Sequence, residues 1–348
     1  MFGKGKHIFN NALGLDIGTA NVVLCSKEKG IVADEPSLVL VKDDGTSGNA
    51  LVFGTDAKKM LDRTPSGLRI VSPLSNGVIA DFDLTCTMVK KFIQRSSALG
   101  TFSKPTVAVG VPACSTEVDK NAVVDVALQA GAKQVVVVSN PIAAALGNNL
   151  PLDEPIGAMI VSIGAGICEA ASISLGGIAN CGNINVAGNS FDEAIKNMLR
   201  LEKKFAIGSV TAEEVKINIG TAMLDDKELF MNVRGKNLLN GLPDEISLSS
   251  RDVAKALNAP VMNIVELIHN VLEGTSPELV RDIFDNGIIL DGGSAQLRGL
   301  AGCLSQELNI PFHVSENPFH SVAAGLAKIL EISNGKRSIP VEIEKIGR

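Results

Sequence analysis

The sequence predicts an α/β protein built from two like lobes around a cleft. Three observations lead there. First, two stretches share one pattern: an apolar run, a polar residue, Ile-Gly, a small-residue turn and a second apolar run. One copy centres on Asp16-Ile17-Gly18-Thr19-Ala20-Asn21, the other on Ser162-Ile163-Gly164-Ala165-Gly166. Second, Gly-Ile recurs after each copy, at Gly30-Ile31 and Gly177-Ile178. Third, strand-like and helix-like runs alternate along the chain, the order that packs helices onto sheets. A length of 348 residues suits about two domains of ~150 residues each.

The elements follow in order. Residues 13–42 alternate and branch at Cβ like three short strands, with turns near Glu28–Gly30 and Asp34–Pro36. Residues 45–49 form a Gly/Ser/Asn loop, and Asp56–Asp62 reads as a short helix. Pro65 and Pro73 make Arg63–Asn76 irregular. Leu84–Ser96 has helical periodicity, Ser97–Pro105 is a loop, and Thr106–Val111 is a buried strand. Glu117–Ala130 is an amphipathic helix with Val118, Ala122, Val126 and Ala130 on one face. Gln134–Val138 carries four consecutive valines, which suits a strand covered on both faces. Ser139-Asn140-Pro141 opens an Ala-rich helix, because a capping residue precedes a proline suited to the first turn.

The second half repeats the logic. Strands fill 158–163, 168–174 and 177–181, and helices fill 189–205, 211–223, 251–273 and 277–285. Strand 287–290 leads into the turn Asp291-Gly292-Gly293-Ser294, then a helix near 295–307, strand 311–314 and a last helix near 318–332. The tail 336–348 is charged and expected to be loosely held. No low-complexity linker separates the halves.

Composition narrows the function classes. Net charge is −6 with acids and bases interspersed, unlike the basic face of a nucleic-acid binder. Aromatics are 3% with no Trp or Tyr, so the core is aliphatic and base-stacking surface is scarce. Cys25, Cys86, Cys114, Cys168, Cys181 and Cys303 form no C-x-x-C pair; they read as buried free thiols in a reducing cytoplasm rather than as a zinc site. No apolar run approaches the ~18–20 residues of a membrane span. The start of the chain is basic, with Lys4 and Lys6 among Phe2, Ile8 and Phe9. It reads either as a weak surface anchor or as a frayed terminus.

Three turns carry candidate chemistry. Around Gly18, Thr19, Ala20 and Asn21, a small-residue hairpin lets backbone N–H groups approach phosphate oxygens, and Asp16 beside it can hold Mg²⁺ through water. Gly164, Ala165 and Gly166 offer the same cradle. Gly292, Gly293, Ser294 and Ala295 follow a strand and precede a helix, a context suited to nucleotide contact. Thr211–Lys216 opens a helix, with Glu213 and Lys216 on one face as either a surface ion pair or a ribose and base contact.

The chain resembles the MreB-type bacterial actins across at least residues 13–332. The resemblance rests on Asp16–Asn21, Gly77-Val78-Ile79-Ala80-Asp81-Phe82, Phe191–Ile195 and Thr211–Lys216. It extends through Val233–Asn237, Gly241–Pro243, Pro277-Glu278-Leu279 and Leu297-Arg298-Gly299-Leu300. It implies an actin-like fold: two lobes with duplicated ribonuclease-H-like cores around a nucleotide cleft. Residues 1–143 plus 318–348 would form one lobe, with a small subdomain at 33–76. Residues 144–317 would form the other, with a small subdomain at 182–245. The implied ligands are ATP or ADP with Mg²⁺. Thr19, Ala20 and Asn21 would hold the β- and γ-phosphates, Gly164–Gly166 would close over them, Glu213, Glu214, Val215 and Lys216 would meet ribose and adenine, and Gly292–Ala295 would line the base pocket. The implied partners are further copies of itself in filaments, the inner-membrane surface, and membrane proteins of cell shape and wall synthesis, with a cytoplasmic location peripheral to that membrane. The loop around Leu99 and Phe102 is a second candidate lipid contact beside the N-terminus.

The departures from the family pattern are as informative. The expected second turn reads Asp-Ile-Gly-Gly-Gly-Thr-Thr, and here it is Ser162-Ile163-Gly164-Ala165-Gly166-Ile167-Cys168. The family places Glu before Pro where this chain has Asn140-Pro141, Thr where it has Val22, and Gly where it has Ser294. An amide orients water but cannot take its proton, so hydrolysis should be impaired while binding through backbone N–H groups is kept. Glu169 or Asp16 stands as a compensating acid, although strand alternation leaves the direction of Glu169 open. Two other readings remain: a non-hydrolysing pseudo-actin that regulates or copolymerises with an active paralogue, and a magnetosome-type actin-like filament. A sugar-kinase or chaperone-type ATPase is disfavoured, because too few residues remain for a substrate domain.

Overall fold

The computed structural model describes residues 12–26, 28–43, 50–95, 104–224, 227–331 and 344–347. The first lobe begins with β1 (Ala12–Ile17), which turns back into β2 (Asn21–Ser26) and continues to β3 (Gly30–Pro36). Next come β4 (Val39–Lys42), β5 (Ala50–Phe53), the one-turn helix α1 (Thr55–Lys58), β6 (Leu68–Val71), β7 (Leu74–Ser75) and β8 (Val78–Ile79). The lobe is completed by α2 (Phe82–Arg95), β9 (Thr106–Val111), α3 (Glu117–Gln129) and β10 (Gln134–Ser139). Helix α4 (Asn140–Gly147) leads into the second lobe.

There, β11 (Ala158–Ile163), β12 (Cys168–Ser174) and β13 (Gly177–Ile184) precede α5 (Gly188–Glu202), β14 (Phe205–Ala206) and α6 (Ser209–Ile219). The hairpin of β15 (Phe230–Asn237) and β16 (Pro243–Ser249) leads to α7 (Ser250–Glu273) and α8 (Pro277–Asn286). Strand β17 (Ile288–Asp291), a 3-10 turn at Gly293–Gln296, α9 (Leu300–Leu308) and β18 (Phe312–Val314) follow. Helix α10 (Ser321–Glu331) and β19 (Glu344–Gly347) return to the first lobe.

The two large sheets are copies. One runs β19-β10-β9-β1-β2-β3, the other β13-β12-β11-β17-β18. Without β19, the strands β1, β2, β3, β9 and β10 correspond to β11, β12, β13, β17 and β18. In each sheet the opening hairpin is antiparallel, and its first strand pairs in parallel with the strand on its other side. The repeat read at the two Gly turns thus extends over whole sheets. Small sheets β5-β4-β6 and β14-β15-β16 attach to the first and second lobe.

Each large sheet has its own aliphatic core. A third cluster lies between them. It joins Ala108 and Val136 of the first sheet to Ile160, Ala171 and Ile173 of the second through Ile142 and Ala144 of α4 and Leu326 and Ile329 of α10. The two helices cross with a glycine of each packed against backbone of the other. A Cβ on Gly325 would overlap the Ala143 carbonyl, and one on Gly147 would overlap the Ser321 carbonyl. Interiors are close-packed, so this approach fixes how near the lobes can sit.

Several expectations are corrected. The turn near Asp34–Pro36 is the end of β3, and the chain reverses only afterwards, giving four strands over residues 12–42 instead of three. The segment Arg63–Asn76 is not irregular throughout: Pro65 and Pro73 flank β6, which pairs with β4. The helix at Asp56–Asp62 stops at Lys58. On α3 the buried face is Val123, Val124, Val126 and Ala127, while Val118 in the first turn is 77% exposed. The helix expected near 295–307 is split, because Gly299 adopts φ 71° and caps a later start at Leu300. The end of the tail is paired, not loose: β19 runs antiparallel to β10, Val136 opposite Lys345. The loop at 45–49 and the lipid-contact residues Phe2, Ile8, Phe9, Leu99 and Phe102 lie outside the described residues. Among the described residues, no helix is long and apolar enough to cross a membrane.

Candidate functional site

A cleft of about 740 Å³ opens between the lobes. Its floor is the two duplicated hairpins. Each turn is closed by the same backbone bond: Gly18 N–H to the Asn21 carbonyl at 2.9 Å, and Gly164 N–H to the Ile167 carbonyl at 3.0 Å. The turns face each other. A Cβ on Gly166 would fall 2.7 Å from Thr19 Oγ1. Only glycine permits this approach, which leaves room for backbone N–H groups of both lobes to converge on one anion. The N-terminus of α5 backs the second turn, with Gly188 and Asn189 N–H groups bonded to the Gly164 and Ala165 carbonyls.

The acids are arranged unexpectedly. In the first hairpin Asp16 of β1 opposes Val23 of β2; in the second, Ser162 of β11 opposes Glu169 of β12. Directly opposed residues of an antiparallel pair share a face. Each hairpin therefore presents one carboxylate to the cleft at the same rung, but from opposite strands. All four residues line the cleft. On its other side Ser162 aligns with Asp291 of β17, so the serine sits between two acids. The sequence left the direction of Glu169 open; the register decides it.

Glu169 is 4% exposed. Its Oε1 accepts from Ala113 N–H at 2.8 Å, and its Oε2 accepts from Asn140 Nδ2 at 3.5 Å. Asn140 Oδ1 is buried without a hydrogen-bond partner, packed against Gly110. Burial, reinforced by the Asp16 charge, pushes the Glu169 carboxyl up to about 7 against the opposing Ala113 and Asn140 bonds. Burial also drives Asp16 to about 7, with the Asp291 and Asp34 charges adding to it and His320 opposing. Asp291 reaches about 6 through burial, restrained first by the Ser321 hydroxyl at 2.5 Å.

These shifts predict a pH dependence. A carboxyl whose folded pKa exceeds its unfolded value favours folding below the unfolded pKa, and that contribution is lost as pH rises through the folded one. For Glu169 the window runs from its ordinary 4.5 to about 7. Relative to the nucleotide-free wild type, Glu169→Gln should be more stable at about pH 8 than at about pH 5 by roughly 1–3 kcal/mol, read from denaturant midpoints. Equal offsets at both pH values would show that Glu169 does not carry this penalty.

The remaining candidates fall as follows. Gly18, Thr19, Ala20, Asn21, Gly164, Ala165, Gly166, Glu213, Lys216, Gly292, Gly293 and Ser294 line the cleft. Three do not. Glu214 is exposed on the outer face of α6, Val215 is fully buried in the core, and Ala295 is 2% exposed beneath the third turn. Glu213 and Lys216 do not pair with each other. Lys216 Nζ contacts Asp192 at 2.9 Å, and Glu213 meets Lys58 of the opposite lobe at 3.5 Å. Ser294 Oγ donates to the Gly164 carbonyl at 2.8 Å, tying the third turn to the second. Gly292, at φ 82°, lies so close to Ile163 that a Cβ would sit 2.5 Å from its carbonyl oxygen. Sequence reasoning missed the network of Asp34, which accepts from Asn21 Nδ2 and lies 3.0 Å from His320 Nε2. No local pattern announces a partner 286 residues away.

The arrangement fits a nucleoside phosphate with a hard cation. It offers opposed glycine turns, a helix N-terminus, a buried unpaired amide oxygen and crowded carboxylates whose repulsion a cation held on Asp16 through water would relieve.

Known proteins share the sequence and this architecture. The model of the MreB/Mbl protein family matches residues 10–337. The cell shape-determining protein Mbl of Bacillus subtilis (strain 168) is 40% identical over 324 residues, covering 93% of this chain and 97% of that protein. The crystal structure of MreB5 of Spiroplasma citri bound to ADP superposes with a TM-score of 0.87 at 33% identity, covering 92% of this chain and 96% of that one; the form bound to AMPPNP matches equally. The MamK double helical filament shares the fold, with a TM-score of 0.78 at 23% identity over 92% of this chain and 98% of that one.

Proposed function

The chain belongs to the MreB/Mbl protein family, whose fold is actin-like, and from that premise we propose that it is an ATP-binding, filament-forming cytoskeletal protein that organises cell shape and hydrolyses ATP poorly. Support for the cell-shape role comes from the name of its relative Mbl, and support for nucleotide from the ADP- and AMPPNP-bound MreB5 structures. We place it at the cytoplasmic face of the inner membrane, working with wall-synthesis proteins. The observation that carries the hydrolysis reading is Asn140 at the head of α4, lining the cleft where a water-activating acid is expected.

In this reading the N–H groups at Thr19 and Ala20 and those at Ala165 and Gly166 bind the phosphates from both sides, while Gly18 and Gly164 N–H close the turns. Bound Mg²⁺ would neutralise phosphate charge. Asp16 would hold it through water. Lys216, Glu213 and the third turn orient the nucleoside. Asn140 orients a water through its amide but cannot remove a proton from it. Binding then draws the lobes together, and ATP acts more as a ligand that closes the cleft than as a fuel.

The test is purified protein assayed for ATP binding, sedimentation and phosphate release in parallel. Pelleting that depends on ATP, without stoichiometric phosphate release during assembly, is expected. Phosphate release that keeps pace with assembly would sink the hydrolysis reading. ATP binding without any pelleting would instead favour a regulatory partner of an active paralogue.

A further inference from the structure

Cys114 and Cys181 come from opposite lobes. Cys114 lies in the loop between β9 and α3, and Cys181 lies within β13, yet their Sγ atoms are 3.2 Å apart. The neighbouring residue docks the same loop on the same sheet, since Ala113 N–H donates to Glu169 of β12, the strand beside β13. Cys181 pairs across to Ala171, which belongs to the inter-lobe cluster. Cys114 is exposed and Cys181 partly so, against the expectation that all six cysteines are buried. A reagent can reach the pair, and the sulfurs need approach by only about 1 Å to reach bonding distance.

We propose that Cys114 and Cys181 form an oxidisable dithiol whose substrate is a low-molecular-weight disulfide, and that the resulting bond locks the lobes together beside the Ala113–Glu169 contact. The effect on nucleotide rests on the function proposed above; the thiol chemistry does not. In the first step one cysteine loses its proton to solvent, and its thiolate attacks a reagent sulfur, breaking the reagent S–S bond and releasing one small thiolate. In the second, the other cysteine loses its proton and displaces the second small thiolate from the mixed disulfide. Two protein thiols lose two electrons, the reagent gains them, and the released protons return to the two small thiols. Burial, the Cys181 contact and the Glu169 charge push the Cys114 thiol up to about 12, so thiolate is scarce and the exchange is slow near neutrality.

The full-length protein treated with oxidised glutathione should lose two of its six thiols and yield a cross-linked peptide joining Cys114 to Cys181. Release of a fluorescent ATP analogue should slow about tenfold, because opening a closed cleft commonly limits ligand exit, and dithiothreitol should restore it. Cys114→Ser and Cys181→Ser should each escape cross-linking and keep the release rate of the reduced wild type. Consumption of thiols without that peptide overturns the proposal. Complete cross-linking with unchanged release overturns the lock. If the reduced protein binds no nucleotide, the function proposed above fails, and the peptide map alone decides the thiol proposal.

Discussion

The double variant Asn140→Glu/Glu169→Gln is expected to release phosphate from ATP about 10²–10³-fold faster than the wild type. The substitution at 140 puts a proton acceptor at the head of α4, where Asn140 already lines the cleft with an unpaired oxygen. The substitution at 169 is needed because Asn140 Nδ2 lies 3.5 Å from Glu169 Oε2. Asn140→Glu alone brings two carboxyls together, which cannot both ionise at that distance, so one holds a proton and the gain shrinks. Glutamine at 169 removes the repulsion and keeps an acceptor for Ala113 N–H. Adding Ser162→Asp is not a neutral improvement, since that rung lies between Glu169 and Asp291. The measurement is phosphate release at saturating ATP with nucleotide affinity checked separately. An unchanged rate with intact affinity would count against the role proposed for position 140.

Gly325→Val should cost more than about 3 kcal/mol, a large share of the roughly 5–15 kcal/mol that holds an average domain folded. The atoms nearest the added Cβ are the carbonyl oxygen, carbon and Cα of Ala143, all backbone, so no side chain can turn aside. The helices cannot simply part. Lys328 of α10 donates to the Leu146 carbonyl at the end of α4 at 2.8 Å, and the cluster around the crossing joins both sheets. Gly325→Ala should show a smaller version of the same loss. Denaturant midpoints of both variants test this, and a valine variant within about 1 kcal/mol of the wild type would mean that the crossing relaxes freely.

Legibility in the sequence followed the range of the interactions. The strand runs at Thr106–Val111 and Gln134–Val138 were readable because burial on both faces writes itself as a short apolar run, four consecutive valines in the second case. The two Gly turns were readable because their repeat is local. Small-sheet strands such as β6 were hidden, since Pro65 and Pro73 flank four residues whose strand character comes from β4. The face expected for α3 and its C-terminal end holds at Val126 and Ala130, which are buried, and fails at Val118, which sits in the first turn and is exposed. In the site, Asn140 and Ser162 were visible residue by residue as departures from the pattern the resemblance implies. That Glu169 faces the same rung as Ser162 depends on hairpin register, and the approach of Cys114 to Cys181 on how two lobes meet. Neither has a local signature.

Strand β19 has a consequence for handling the protein. It hydrogen-bonds along β10, the strand of four valines, and among the described residues it is the strand of the first large sheet without a counterpart in the second. An uncovered edge of that composition invites strand addition from neighbouring chains. Residues 344–347 thus cover an edge that would otherwise be open to strand addition. Truncations, or fluorescent fusions placed at the carboxyl end, risk producing aggregates that mimic genuine polymer in a pelleting assay.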